Sequence, residues 1–199
     1  MAGSVNWRFG KGGTHTSSRL PTGFIAASLV ALLTVCMPVL GEMSDSSATE
    51  YRIKAAFLYN FTSFVNWPEG SAGESGFTLC ILGKNPFGNQ LDKLAGKPVD
   101  QARLVIKRID RPEYLESCRL VFIGDISTAR LDETLSLLHD MPVLTVSDTL
   151  GFAELGGMIE FRIIANKVRF AINNKAAESA GLSISSKLLN LAANFRRAD

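Results

Sequence analysis

The residues that could carry out chemistry are few in this sequence. Gly83 and Gly88 have the spacing of the first half of a phosphate-binding loop. Asn89 and Gln90 follow, however, where such a loop has a lysine and a serine or threonine, so the phosphate-binding cation and the metal-binding hydroxyl are missing. We interpret the segment as a turn that begins a helix, whose N-terminus could still bind a small anion at the end of a strand.

Other catalytic patterns are also absent. The sequence contains no Gly-x-Ser-x-Gly, His-Glu-x-x-His or Cys-x-x-Cys motif. His139 falls at the end of a predicted helix, where it would complement the helix dipole. Acid–base catalysis would then depend on carboxylates, and Glu154 and Glu160 are the one pair close together beside a glycine-rich turn. The sequence favours a protein that is not an enzyme and binds no cofactor or metal; a hydrolase that uses this pair is the alternative.

Aromatic side chains and glycines form the unusual pattern of this chain. Trp67 ends the first predicted helix, and Phe152 lies in a glycine-rich loop after a predicted strand. The two side chains either belong to the core or line a ligand pocket or a partner-binding surface near the strand ends. Asn85 and Phe87, after an earlier strand, and Glu160, beyond the loop, would belong to the same surface. These five residues are the candidate binding residues.

The three cysteines indicate an oxidising compartment. Cys36 lies in a predicted leader segment, which leaves Cys80 and Cys118, each at a predicted strand. Two such thiols would form a disulfide if they are adjacent in the sheet, and would otherwise pack as small buried hydrophobic residues. We favour the disulfide, which would close a loop of about forty residues and contribute roughly 4 kcal/mol to stability.

Charge is distributed unevenly along the 199 residues. Positions 1–41 carry three basic residues and no acidic one, whereas positions 42–199 carry 18 basic and 19 acidic residues. A nearly neutral body lacks the basic face that nucleic-acid binding requires, so we expect no nucleic-acid partner. The composition, 46% hydrophobic and 20% charged, excludes a disordered chain and a polytopic membrane protein.

The N-terminal segment has the pattern of an export signal. A weakly basic stretch precedes residues 23–40, which carry no charge, and small polar residues follow. This order predicts a signal peptide over 1–41, cleaved after Gly41, and a single exported domain over 42–199. The alternative is an anchor in the inner membrane formed by residues 23–40, because eighteen apolar residues are at the lower limit for spanning a bilayer.

The exported body alternates predicted helices and strands. Apolar residues at three- and four-residue steps predict an amphipathic first helix, with Thr49 as its cap and Trp67-Pro68 as its stop signal. Two all-apolar strands separated by helices are typical of a buried parallel sheet. We predict an α/β fold, with a mostly parallel sheet flanked by helices, a C-terminal β-hairpin and two closing helices. The predicted helices are 49–65, a short one ending at 94, 112–117, 128–139, 175–180 and 185–196, and the predicted strands are 77–82, 102–109, 118–123, 142–146, 158–165 and 168–172.

Several short motifs occur in the body in a definite order. They are 54–61 with 67–68, 82–88, 146–148, 151–152, 156–161, 168–173 and 186–191. With these motifs the chain resembles the YfiR-like family of periplasmic regulators over about residues 50–195. Each motif is weak alone, and their order makes the resemblance specific.

The resemblance implies a non-enzymatic inhibitor in the periplasm. Such a protein binds the periplasmic part of an inner-membrane diguanylate cyclase and holds it inactive, which lowers cyclic di-GMP and biofilm formation. An outer-membrane peptidoglycan-binding lipoprotein can sequester the inhibitor, and a homodimer is a further assembly that the sequence leaves open. The resemblance also implies that Cys80 and Cys118 can be joined in a disulfide, whereas the second cysteine pair of some members is absent here.

Two interpretations of the binding surface stay open. The surface that contacts the partner would combine the exposed part of the first helix, Trp67 and the loop of Phe152, with an apolar centre and a polar rim. Alternatively, the chain is a periplasmic sensory domain that binds a small molecule at the strand ends near Asn85, Phe87 and Phe152. A bound metabolite would then raise the melting temperature of the protein.

Overall fold

A computed structural model of the chain describes residues 40–68 and 76–192. The predicted leader over 1–41, with Cys36, lies outside the described residues except for its last two positions. Along the described segments, no helix combines the length and the apolar composition needed to cross a bilayer. The described residues from Glu42 onward belong to one compact unit.

The first helix, α1, spans Leu40–Phe61. It begins before Thr49, so the predicted N-cap at that residue is wrong. It also ends four residues before its predicted end at Val65, because a turn after Phe61 leads the chain into the short strand β1, Val65–Asn66. Phe61 is fully buried, which fixes the C-terminal end of the helix against the sheet.

The other elements follow in alternating order. The strands are β2 (Phe77–Leu82), β3 (Pro98–Val99), β4 (Ala102–Ile109), β5 (Leu120–Ile123), β6 (Leu144–Ser147), β7 (Ile159–Ile164), β8 (Lys167–Ile172) and β9 (Ser183–Ile184). The helices are α2 (Thr128–Leu138), α3 (Asn174–Ser179) and α4 (Ser186–Leu191), and 3-10 helices lie at Asp92–Leu94 and Pro112–Ser117. The bounds of β2, β4 and the second 3-10 helix agree with the predicted ones.

Seven strands form one sheet in the order β3-β4-β2-β5-β6-β7-β8. The strands from β4 to β7 are parallel, and β3 and β8 pair antiparallel at the two edges. The predicted α/β fold is therefore confirmed. The chain runs from β2 outward to β4 and then returns to the other side of β2 as β5. In open α/β sheets, ligands usually bind where the strand order reverses in this way, at the carboxyl ends of the strands.

The predicted C-terminal hairpin is confirmed as β7 and β8. Its turn consists of Ala165 and Asn166, whose φ angles of 48° and 59° are both positive, as a two-residue type I′ turn requires. The two closing helices are also present, and Asn173 and Ser185 cap them by accepting backbone N–H groups.

The remaining differences from the predicted elements are local. Strand β5 begins at Leu120 because Cys118 still ends the 3-10 helix, and α2 ends at Leu138, one residue early. Helix α4 ends at Leu191, because Ala192 has an extended backbone, instead of continuing to 196. The short antiparallel pair of β1 and β9, and edge strand β3, were not predicted.

The two faces of the sheet carry separate hydrophobic clusters. On the face covered by α1, the ring of Phe61 lies 5.9 Å from that of Phe161 and 5.3 Å from that of Phe170. On the opposite face, α2 and the second 3-10 helix pack over the fully buried Cys80 and the nearly buried Cys118. These two cysteines form a disulfide with a Cα–Cα distance of 5.9 Å, so the predicted pairing is confirmed.

Candidate functional site

A polar cluster around a buried lysine joins helix α1 to the carboxyl ends of the strands. Lys54 is 3% exposed, although the next residues along its helix face, Leu58 and Phe61, are apolar. Its Nζ lies 2.7 Å from the Asp148 carboxylate and 2.6 Å from that of Glu50, one helical turn earlier. The Tyr51 hydroxyl donates to the same Asp148 oxygen at 2.9 Å. We call Glu50, Tyr51, Lys54 and Asp148 the Lys54 cluster.

Contacts close in sequence position the members of the Lys54 cluster on α1 and after β6. Glu50 and Lys54 are four residues apart, which places them on one side of α1. Asp148 directly follows β6, whose last residue, Ser147, donates its hydroxyl to the backbone oxygen of Ile123 in β5 and accepts from the Thr149 N–H. The sheet therefore sets the position of Asp148. Because Lys54 pairs with Asp148, the position of α1 relative to the sheet is also restricted.

The phenol of Tyr51 has a raised pKa in this cluster. Burial first, and then the negative charge and hydrogen bond of Asp148, raise the pKa of its phenol. The Lys54 ammonium lies 4.4 Å from the centre of its ring, and the Phe87 ring meets it edge to face at 5.4 Å. Tyr51 is therefore held in its protonated, donating form by the surrounding structure.

Glu160 holds the loop that follows Asp148. Its carboxylate is completely buried and accepts the backbone N–H groups of Gly151, at 3.2 Å, and Ala153, at 3.1 Å. Arg162 Nε donates to the same carboxylate, and this hydrogen bond raises the pKa of the guanidinium. The loop is thus fixed to β7 by a side chain that is itself fully hydrogen-bonded, which is a structural role.

Phe152 anchors the same loop from beneath. The side chain is fully buried in the cluster on the α2 face of the sheet. A Cβ atom on Gly157 would lie only 2.1 Å from its ring, so that position accepts no side chain without movement. Packing against Phe152 therefore explains the glycine at position 157, whereas Gly151 and Gly156 have positive φ angles of 81° and 105°, which favour glycine.

Apolar side chains surround the Lys54 cluster at the surface. Leu150 is 78% exposed, Ile163 47% and Ile164 40%, and all three line a depression of about 560 Å3 together with the Lys54 cluster. Ile53, 41% exposed, lies beside Lys54 on α1. We call Leu150, Ile163 and Ile164 the apolar rim. Exposed apolar residues that are grouped in this way mark interaction surfaces.

The structure separates the five predicted site residues. Phe87 and Phe152 are buried at 2% and 0%, so neither side chain is available at the surface, and the core interpretation left open for Phe152 is the one observed. Asn85 is used locally, since its Oδ1 accepts the Phe87 N–H within the turn after β2. Glu160 is buried beneath its loop, and Trp67 lies at the opposite, amino ends of the strands.

The strand ends near Asn85 also leave little room for a ligand. The loops after β2 and β5 meet there, and a Cβ atom on Gly124 would lie 2.0 Å from the backbone oxygen of Lys84. Likewise, a Cβ atom on Gly83 would lie 2.4 Å from the Ile126 side chain. The crevice that binds ligands in related sheet architectures is therefore filled here by the chain itself.

Trp67 belongs to a second depression, of about 470 Å3. Its indole meets the Phe77 ring edge to face at 5.0 Å, and its Nε1 donates to the backbone oxygen of Arg119 at 3.2 Å. Burial lowers the pKa of the Arg119 guanidinium, which also lines this depression. Trp67 therefore has one side in the core and one side at an opening.

The structure thus defines an α/β domain with a group of exposed apolar side chains beside a polar cluster at the carboxyl ends of its strands. Residues 51–193 match the model of the YfiR/HmsC-like family. The chain belongs to this family, as its motifs indicated. At the level of the family, this membership supports a role as a periplasmic regulator of diguanylate cyclase, in a family known for regulation rather than catalysis.

The pairing of Lys54 with Asp148 was not predicted from the sequence. Both residues lie in motifs that resemble the family, and a signal was present. Lys54 shares a helix face with Leu58 and Phe61, and an ionisable group on a buried face requires a partner of opposite charge. The sequence alone does not say which of its 19 acidic residues is that partner, because Asp148 is 94 residues away.

Proposed function

We propose that this chain is a non-enzymatic periplasmic regulator that binds a membrane-bound diguanylate cyclase and represses it, lowering cyclic di-GMP and biofilm formation. Family membership supports the regulatory class. The observation that carries the proposal is the apolar rim, which exposes large aliphatic side chains on rigid elements at one end of the sheet. When a partner covers such side chains, their apolar surface is removed from water, which favours association.

The residues of the apolar rim lie on ordered elements of the fold. Leu150 lies in the loop that Glu160 fixes, and Ile163 and Ile164 lie on β7. A surface that is already ordered avoids the entropic cost of ordering on association. Repression then follows if the rim binds the inactive conformation of the cyclase more tightly than the active one, because a ligand shifts an equilibrium only by its differential affinity.

Export is part of the same proposal. The signal-peptide pattern over 1–41 would direct the domain to the periplasm, and the disulfide between Cys80 and Cys118 suits an oxidising compartment. We propose that an outer-membrane peptidoglycan-binding lipoprotein releases the cyclase by sequestering this regulator. Size-exclusion chromatography with light scattering would decide between a monomer and a homodimer.

The experiment is gene deletion in the host followed by measurement of intracellular cyclic di-GMP. Complementation would use residues 42–199 behind a known export signal, and the same residues without a signal as the control. We expect a rise on deletion that only the exported domain reverses. An unchanged level across several growth and envelope-stress conditions would contradict repression of a cyclase.

A small-molecule sensor is the second candidate function, and the depression at Trp67 favours it. Its lining combines the Trp67 and Phe77 rings with the Arg119 guanidinium, which would suit a small aromatic or anionic metabolite. Thermal unfolding against a metabolite library, with Trp67→Leu as the matched variant, tests this function. A ligand that stabilises both proteins equally does not bind at this depression.

A further inference from the structure

A groove of about 720 Å3 lies on the sheet face opposite α1. Its walls are the 3-10 helix Pro112–Ser117 and helix α2, and the buried Leu115 lies at its base. Leu137, 52% exposed, and Met141 line it from the other side. The two elements therefore leave an apolar strip open between them.

Acidic side chains border this groove. Glu113 and Glu116 lie on the 3-10 wall and Glu133 on the α2 wall, and all three are exposed. Arg130 is the one basic residue among the described residues that line the groove, and its guanidinium already donates to the backbone oxygen of Asp110. An apolar floor is thus bordered by negative charge on both sides.

The walls of the groove are fixed to the rest of the fold. The disulfide attaches Cys118, at the end of the 3-10 helix, to Cys80 in the middle of β2, and the Cys118 N–H donates to the Leu115 oxygen. On the other wall, Ser127 caps α2 by accepting the Arg130 N–H. The groove is therefore preformed, and a ligand would not have to order it.

We propose that this groove is a docking site for a basic amphipathic helix of a partner protein. Apolar side chains at helical spacing would lie along Leu137 and Met141, above the buried Leu115, as helices dock in apolar grooves. Lysine or arginine side chains beside that stripe would face Glu113 and Glu133 across the groove. The same carboxylates repel phosphate, which excludes anionic lipid headgroups and nucleic acid as occupants.

This site is independent of the apolar rim. The groove lies on the α2 face of the sheet, whereas the rim adjoins α1 and the hairpin. A helix bound in the groove would leave the rim accessible. The regulator could therefore bind a second protein while it remains on its first partner, and a coupling between the two sites would be reciprocal.

The probe for the test is a fluorescein-labelled 18-residue peptide in which lysine and leucine alternate at helical spacing. Fluorescence anisotropy would measure its Kd with the protein in its exported form, at low and high salt. We expect the triple variant Glu113→Gln, Glu116→Gln, Glu133→Gln to bind about tenfold more weakly, because three charge pairs are lost. Leu137→Ser should also weaken binding about tenfold, because its apolar contact area is lost.

Two substitutions serve as matched controls. Asp132→Asn changes a charge on the same helix, next to Glu133 but facing a different depression, and Leu155→Ser changes a leucine that is 51% exposed, compared with 52% for Leu137. Both controls should bind within twofold of the unaltered protein. Equal affinity across all variants would overturn the proposal.

A second measurement does not depend on any substitution. A photo-crosslinker at the centre of the peptide should label residues 112–117 and 127–141 of the unaltered protein. Labelling at the apolar rim instead would overturn the assignment of the site. Equally tight binding of a peptide with glutamine in place of lysine would overturn the basic character proposed for the partner.

Discussion

Lys54 Nζ lies 2.7 Å from the Asp148 carboxylate, and this ion pair connects the first helix to the end of strand β6 across 94 residues of sequence. The lysine is almost completely buried, whereas the side chains of Asp148 and Glu50 keep 22% and 29% exposure. A buried charge is tolerated only when it is paired and hydrogen-bonded. The pair therefore fixes where the C-terminal half of α1, which contains Lys54, lies relative to the loop that carries Leu150.

We expect Lys54→Met to lower the free energy of unfolding by about 2 kcal/mol, because Asp148 and Glu50 lose their shared cation. Chemical denaturation measures the change. Lys175→Met, at an exposed position, is the matched control and should stay within about 0.5 kcal/mol. If the two variants were equally stable, the ion pair would have no structural role.

Tyr51 should resist ionisation in the folded protein. Burial and Asp148 raise the pKa of its phenol above the usual value of 10.0. A group with a raised pKa in the folded state contributes stability that is complete below its unfolded pKa and declines as the pH rises beyond it, so the loss begins near pH 10. The difference in tyrosinate absorbance between the native protein and Tyr51→Phe should titrate above pH 10. A difference curve centred at pH 10 would contradict the burial of this hydroxyl.

Glu160→Gln distinguishes a structural carboxylate from a catalytic one. The substitution removes the charge that pairs with Arg162 and weakens the acceptors of the Gly151 and Ala153 N–H groups. We expect a loss of about 2 kcal/mol in the free energy of unfolding and faster hydrogen exchange at those two amides. Glu178→Gln, at an exposed site, is the control. Unchanged folding stability and unchanged exchange at both amides would contradict this structural role.

The disulfide should contribute strongly to stability. Cys80 and Cys118 are 38 residues apart, and closing a loop of that length restricts the unfolded chain by about 4 kcal/mol in the entropy estimate. Replacing both cysteines by alanine should lower the urea midpoint, and reductant should lower the midpoint of the native protein only. A reductant effect of equal size on the double variant would show that it does not act through this bond.

Much of the fold could be predicted from local sequence patterns. The all-apolar strands of the parallel sheet, the capped helix α2 and the C-terminal hairpin are each encoded within a few neighbouring residues. The start of α1 could not be predicted, because Thr49 has a cap-forming side chain but lies inside a helix that begins by Leu40. The β1–β9 pair was missed because it joins Val65 to Ile184, and pairing over such a distance leaves no local signal.

The candidate site was harder to predict than the fold. Phe152 and Phe87 were singled out by residue type, but type alone does not tell a core aromatic from one that binds a ligand. Burial decides between the two, and both side chains are buried. The exposed apolar residues are instead Leu150, two positions before Phe152, and Ile163 and Ile164 at the end of β7. The sequence of β7 resembles that of any apolar strand, so it gave no sign that these two residues are exposed.

The apolar rim gives the most direct test of the proposed function. Leu150→Asp and Ile163→Asp each place a charge where a partner would cover an apolar side chain, which penalises association while the exposed positions preserve the fold. In a deletion strain that expresses these variants, we expect cyclic di-GMP to rise at least severalfold towards the level of the deletion itself. Leu155→Asp is the matched control, because the exposure of Leu155, 51%, is close to the 47% of Ile163 but its side chain lies in a different depression, and it should restore repression. Repression by all three variants at equal periplasmic abundance would place the cyclase-binding surface elsewhere on the domain.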